Sequence, residues 1–151
     1  KLYRNIKYII NNRYDQNKII QPYIEGQNLS LSVFFNNNSF YLLSVNKQNI
    51  FLNKDNYLKL KSILVNVTIS FEEKIYSLIE KIYNAFPGLY GYVGIDILIK
   101  NNNIFVVEIN PRLTTSFAGI KYTKGINLLD LFLKYESYKD VISGRKVLIK
   151  I

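Results

Sequence analysis

Four residues near position 100 have types and spacing that suit metal and phosphate chemistry: Asp96, Glu108, Asn110 and Arg112. Two β-rich runs, Val93–Lys100 and Ile104–Ile109, flank the turn-forming triplet Asn101-Asn102-Asn103. A hairpin closing with Lys100 opposite Ile104 sets Asp96 opposite Glu108. Side chains alternate along a strand, so Glu108 and Asn110 share one face, and Val107 and Ile109 take the other, apolar face. Asp96 lies between Ile95 and Ile97, which turn inward. Carboxylates placed directly opposite each other repel. A cation between them offsets that repulsion, and two carboxylates with one amide suit Mg2+, which also takes phosphate oxygens and water. Arg112 points the same way if the strand continues past Pro111, and then offers a cationic fork to a phosphate or an acyl-phosphate. Acidic residues also occur on the outer faces of hairpins that bind nothing, and a one-residue slip would scatter the set.

Composition bounds what else the chain can do. Its 151 residues include no Cys and no His. That excludes a disulfide framework, a thiolate or imidazole metal site, a Cys nucleophile and His general acid–base catalysis. Any bound metal is a hard one. Hydrophobic residues make up 48% and aromatics 15%, enough to bury a core and to exclude a disordered chain. The length suits one domain. The formal net charge is +9, but 22 Ile, 19 Asn and 16 Lys against 2 Ala point to A/T-rich codon bias as one source of that charge. Apolar runs such as Ile104–Val107 fall far short of the ~20 residues of a membrane span. No secretory signal is visible, so a cytoplasmic chain without a membrane partner is expected. Lys1 stands where a complete gene product has Met, which suggests a piece of something longer.

Several elements must position the acidic set. Leu2, Tyr3, Ile6, Ile9 and Ile10 recur at helical spacing, with Asn11-Asn12 as the stop. Ile19–Ile24 is β-like, but Pro22 demotes it to an edge or a connection. Leu29, Leu31 and Val33 alternate with Ser30, Ser32 and Phe34, Asn36-Asn37-Asn38 is a turn, and Phe40–Val45 is the returning strand. Lys47–Asn56 reads as a polar loop, and Tyr57–Val65 as a strand of open register. Ile75, Leu78, Ile79, Ile82, Tyr83 and Phe86 build one apolar helical stripe over 71–86. Ser70 and Glu73 form a capping box for it, Pro87-Gly88 end it, and Tyr76 lies off the stripe at the surface. After Pro111 the pattern turns helical, with Leu128, Leu129, Phe132 and Leu133 on one face and Gly125 or Asn127 near its start. Val147–Ile151 is a short terminal strand.

The strings Gly91-Tyr92-Val93-Gly94-Ile95-Asp96 and Val106-Val107-Glu108-Ile109-Asn110-Pro111-Arg112 resemble the carboxy-terminal half of the ATP-grasp fold. The resemblance implies an α+β architecture, an antiparallel sheet with flanking helices. It implies that Asp96, Glu108 and Asn110 bind the Mg2+ (or Mn2+) ions that bridge the ATP phosphates, and that Arg112 lies near the transferred phosphate. Gln21-Pro22-Tyr23-Ile24-Glu25-Gly26 is similar to the family's adenine hinge, within about residues 19–28. There the Pro22 C=O and the Ile24 N–H match the donor and acceptor on the adenine edge. Gln21 contacts that edge through its side chain, and either Glu25 or Asn28 holds the ribose. Glu108 to Ser116, with Phe86 to Tyr92 before the metal strand, is similar to the archaeal ATP-grasp ligases that make amide bonds to glutamate. That group implies a carboxylate–amine ligase working through an acyl-phosphate, with ATP, L-glutamate and tyramine as small-molecule substrates, in methanofuran biosynthesis. Thr114, Thr115 and Ser116 then contact the acyl-phosphate or, more plainly, cap the next helix.

The resemblance covers nearly all of the chain but only the back half of an enzyme. The family's substrate domain and its lid, with a Gly-rich phosphate loop, are not in this sequence. One alternative keeps the fold and changes the acid and amine. Another is a basic nucleic-acid-binding module, which the even spread of Lys and the apolar-stripe positions of Tyr83, Phe86 and Phe132 oppose; no nucleic-acid partner is expected. Assembly stays open, a homodimer included.

Overall fold

In the computed structural model, residues 22–55, 57–125 and 144–151 are described. They form six strands and two helices: β1 (Gln27–Phe35), β2 (Phe40–Leu52), β3 (Leu58–Val65), α1 (Glu72–Ala85), β4 (Gly91–Lys100), β5 (Asn103–Asn110), α2 (Phe117–Lys124) and β6 (Val147–Lys150). The strands make one antiparallel sheet in the order β5-β4-β1-β2-β3-β6. The class is α+β, as expected. Gln21, the amino-terminal helical pattern and the apolar face around Leu128–Leu133 lie outside the described residues.

Central β1 is buried on both faces, which its alternation explains. Leu29, Leu31, Val33 and Phe35 turn to one side and pack with Val93, Ile95 and Ile97 of β4 and with Ile75, Ile79 and Ile82 of α1. Burying each such side chain contributes about 1.5–3 kcal/mol. Ser30, Ser32 and Phe34 turn to the other side, where Phe34 packs with Leu43, Tyr92 and Ile120 of α2.

The first hairpin closes as expected at Asn36, whose Oδ1 accepts from the backbone N–H of Asn38 and Ser39 at 2.9 and 2.6 Å. Of the polar run Lys47–Asn56, Lys47–Leu52 is strand and only the part from Asn53 turns, the Asn53 Oδ1 accepting from the backbone N–H of Asp55 and Tyr57. β2 continues to Leu52, held by β1 up to Lys47 and by β3 from Lys47 to Leu52. Bulges at Leu43 and at Lys61 of β3 break the alternation from which a strand is read. Before β1, Pro22–Glu25 belongs to no helix or strand, so the described part of the Pro-bearing run is a connection.

The stripe of α1 is real, but its ends differ from expectation. Phe71 is the N-cap and makes no side-chain cap bond, so the Ser70–Glu73 box does not form. Glu72 and Glu73 still place negative charge at the positive end of the helix dipole. Phe86 falls outside the helix as its C-cap and is 52% exposed. Tyr76 is half-buried rather than superficial, its ring 6.4 Å from that of Phe40. Gly125 sits at φ 68° as the C-cap of α2, its N–H bonded to the Lys121 carbonyl; the helix expected to start near it lies outside the described residues.

Candidate functional site

The β4–β5 hairpin carries the acidic set, and its register has two parts. Asn101 and Asn102 take φ 49° and 63°, a left-handed pair that asparagine tolerates, and close a two-residue turn. Lys100 therefore faces Asn103, not Ile104, and the ladder runs from there to Ile97 opposite Val106. A bulge then absorbs Val107, and Asp96 faces Glu108, Ile95 faces Ile109 and Gly94 faces Asn110. The facing acids agree with the expectation, but the turn that leads to them does not. The bulge also flips the phase of β5, so that Ile104 and Ile109 both pack on the core. Val107 does not reach the apolar face and is 57% exposed.

Asp96, Glu108 and Asn110 thus share the sheet face opposite α1. Asp96 is half-buried, Glu108 exposed and Asn110 buried. Burial pushes the Asp96 carboxyl above its ordinary value of 3.8. A hydrogen bond from Gln48 opposes the rise, the facing Glu108 charge adds to it and Arg112 offsets part of it. Among the described residues no group of three His, Cys, Asp or Glu converges, and the next polar side chain along β5 on this face is the Asn110 amide. Two facing carboxylates, one of them partly desolvated, with an adjacent amide fit a hard divalent cation in donor type and charge.

Arg112 reaches this neighbourhood by a different route from the one expected. The strand stops at Asn110, and the Arg112 N–H bonds back to the Asn110 carbonyl at 2.8 Å. The chain therefore turns at Pro111, and the exposed guanidinium stays near enough to act on Asp96 through its charge. The following loop is pinned to the sheet. Thr114 lies so close over Gly94 that a Cβ there would meet its methyl group. The Tyr92 hydroxyl is 2.8 Å from Thr114 Oγ1 and donates to Ser32 Oγ at 3.0 Å. Ser116 is buried 2.9 Å from Thr114 Oγ1 and 3.3 Å from Ser32 Oγ, and makes no cap bond. These hydroxyls hold the loop to the sheet instead of capping α2.

Sequence reading missed the polar floor beside the acids. Fully buried Asn46 donates to Ser32 Oγ at 3.1 Å and to the Ser30 carbonyl at 3.2 Å, and accepts from Ser44 Oγ at 2.9 Å. Gln48 Nε2 donates to Asp96 Oδ1 at 3.0 Å. The repeating Ser/Asn/Gln at every second position from Ser44 to Gln48 is the signal that was available. Of the adenine-hinge residues, Tyr23 is 57% exposed, Glu25 and Pro22 are exposed and Ile24 is half-buried. Asn28 lies on β1, two residues from Ser30 and so on the face of Asp96.

A profile of the ATP-grasp domain matches residues 4–116. The chain belongs to the ATP-grasp family. Among curated proteins, the tyramine–L-glutamate ligase of Methanocaldococcus jannaschii is 33% identical over 141 residues, 91% of this chain and 43% of the ligase. That of Methanocaldococcus fervens is 32% identical over 130 residues, 42% of its length. The chain thus spans less than half of the curated ATP-grasp relatives it matches. A solved structure from Archaeoglobus fulgidus, assigned to the ATP-grasp superfamily, superposes with TM-score 0.65 at 32% identity, over 85% of this chain and 40% of that one. N5-carboxyaminoimidazole synthetase of Staphylococcus aureus, solved with ADP, shares the fold at TM-score 0.60 and 21% identity, over 78% of this chain and 32% of that one. Among the described residues no helix of this ATP-grasp chain is long and apolar enough to cross a membrane.

Proposed function

We propose that this chain is the nucleotide- and metal-holding part of an ATP-dependent ligase that joins a carboxylate to an amine. The observation that carries the reading is the pairing of Asp96 with Glu108, with Asn110 next on the same face, in a chain of the ATP-grasp family. The names of the relatives at 33% and 32% identity support L-glutamate as the acid and tyramine as the amine.

In this reading Asp96, Glu108 and Asn110 hold Mg2+, or Mn2+ in its place. When bound, the cation neutralises phosphate charge during transfer. Asp96 and Glu108 supply opposing negative charge across the ribbon, and Asn110 adds a neutral oxygen. Arg112 balances charge on the transferring phosphoryl group from the turn after β5. The Pro22 carbonyl and the Ile24 N–H take the adenine edge, with the Gln21 side chain beside them. Asn28 is favoured over Glu25 for the ribose, because it lies on the face that carries Asp96. A carboxylate oxygen of the acid attacks the γ-phosphorus and ADP leaves. The amine nitrogen then attacks the acyl carbon, phosphate leaves, and the amine loses a proton as the amide forms.

The test is ADP release by the full-length protein with L-glutamate and a panel of amines, in the presence of Mg2+. Release that needs both substrates, with the amide detected by mass, is expected, and Asp96→Ala, Glu108→Ala and Asn110→Ala should each abolish it. A Glu108→Ala variant with wild-type turnover would overturn the reading. Turnover with another acid–amine pair, and none with tyramine, would keep the ligase and replace its substrates.

A further inference from the structure

We infer that Gln48 is a positioning residue that ties Oδ1 of Asp96 to the sheet and leaves Oδ2 as the oxygen presented to the cation. The inference rests on the reading of Asp96, Glu108 and Asn110 as the metal-holding set.

Gln48 and Asp96 are not neighbours in the sheet. Gln48 is on β2 and Asp96 on β4, with β1 between them. Two sheet spacings amount to about 9–10 Å between backbones. The 3.0 Å bond from Gln48 Nε2 to Asp96 Oδ1 therefore bridges a whole strand. What makes the bridge feasible is Ser30, which pairs with Asp96 on one side and Asn46 on the other. Ser30 is a small side chain, 4% exposed, and it faces the same side as Asp96 and Asn46. A bulky residue there would fill the space that the Gln48 side chain crosses. Asparagine at 48, one methylene shorter, would fall short of Asp96.

The chemistry of the pair fixes its direction. An amide nitrogen only donates and an ionised carboxylate only accepts, so the bond favours charged Asp96. It opposes the effects of burial and of Glu108, both of which disfavour that charge. One oxygen of Asp96 is committed to Gln48 and the other remains for Glu108's side of the hairpin. Asp96 is thus arranged as a single-oxygen ligand with its rotamer set beforehand. Asn46, two residues earlier on β2, anchors the same strand through Ser30 and Ser32, so the donor end of the bridge is itself rigid. Partners of this kind typically contribute about 10–100-fold in metal affinity.

The test is Mn2+ binding to the full-length protein, followed by electron paramagnetic resonance, with the variants Gln48→Met, Gln48→Asn and Asp96→Asn. Gln48→Met keeps length and removes the donor; Gln48→Asn keeps the donor and removes the reach. Both should weaken Mn2+ binding by about 10–100-fold. In the ligase assay both should raise the metal concentration giving half-maximal rate and leave kcat at saturating metal near wild type. A residue that only packs would be rescued by Met, and its Asn variant would lower kcat and folded fraction together. If Gln48→Met is unfolded by circular dichroism, the Asn variant decides by the same readouts. Mn2+ binding within twofold of wild type in a folded Gln48 variant, with Asp96→Asn deficient, overturns the positioning role alone. Undiminished binding by Asp96→Asn overturns the metal site itself.

Discussion

Replacing Gly94 with Ala puts one methyl group where the loop after β5 crosses the sheet. The new Cβ would meet Thr114 Cγ2 too closely to be tolerated, whereas Thr114 Oγ1 and Cβ stand at 3.3 and 3.4 Å. Gly94 does not have a left-handed backbone, so crowding alone opposes the change. Thr114 cannot swing aside freely, because its hydroxyl is 2.8 Å from Tyr92 and 2.9 Å from Ser116. Overpacking of this kind costs about 1–3 kcal/mol. The loss of unfolded-chain entropy offsets about 0.4–1 kcal/mol of it. The net expectation is a loss of about 1–2 kcal/mol, measured by urea unfolding. Thr114→Ser removes the offending methyl group and keeps the hydroxyl bonds. In that background Gly94→Ala should be close to neutral, giving a coupling of about 1–2 kcal/mol in a double-mutant cycle. Equal losses in the two backgrounds would refute the contact as the reason that position 94 is glycine.

The Asp96 carboxyl, raised by burial above 3.8, binds protons more readily folded than unfolded. Its contribution to stability therefore falls as pH rises from 3.8 through its elevated value, and stays low above it. Asp96→Asn removes that slope and still accepts from Gln48, so in EDTA at neutral pH it should melt above wild type, by scanning calorimetry. A variant melting below wild type there would contradict the assignment of burial as the dominant cause. Asn46→Ala strips partners from Ser44 Oγ and from the Asn66 backbone N–H. Each orphaned group costs about 1–3 kcal/mol, and urea unfolding should show a loss of at least the lower figure.

The acids were legible in the sequence because alternation and pairing are local rules. Asp96 and Glu108 needed only a hairpin between them, and Asn110 only the next position on the same face. The bulge at Val107 was not legible, because two valines in a row fit either phase, and the phase is decided by Ile104 and Ile109 both seeking the core. The tail of β2 was lost for a related reason: Lys47 to Leu52 draws its order from hydrogen bonds to neighbouring strands, not from an apolar pattern of its own. Gln48 lay in that stretch, so its bond across β1 to Asp96 was beyond any reading of near neighbours. The capping box failed because Ser70 matched a motif whose geometry Phe71 preempted as the N-cap.

The bulge in β5 also bears on how the molecule behaves in company. Among the described residues β5 is an edge of the sheet, and it shows Phe105, Val106 and Val107 to solvent at 38, 41 and 57%. A flat edge with such a row is a template for strand-to-strand association. The opposite edge is guarded by brevity and charge, since β6 has 4 residues ending in Lys150. On β5 the extra residue twists the backbone and interrupts the row of unpaired groups. Deleting Val107 would leave Asp96 opposite Glu108 and straighten the ladder. The cost would appear as self-association, with an unbroken row of backbone groups offered to a second copy.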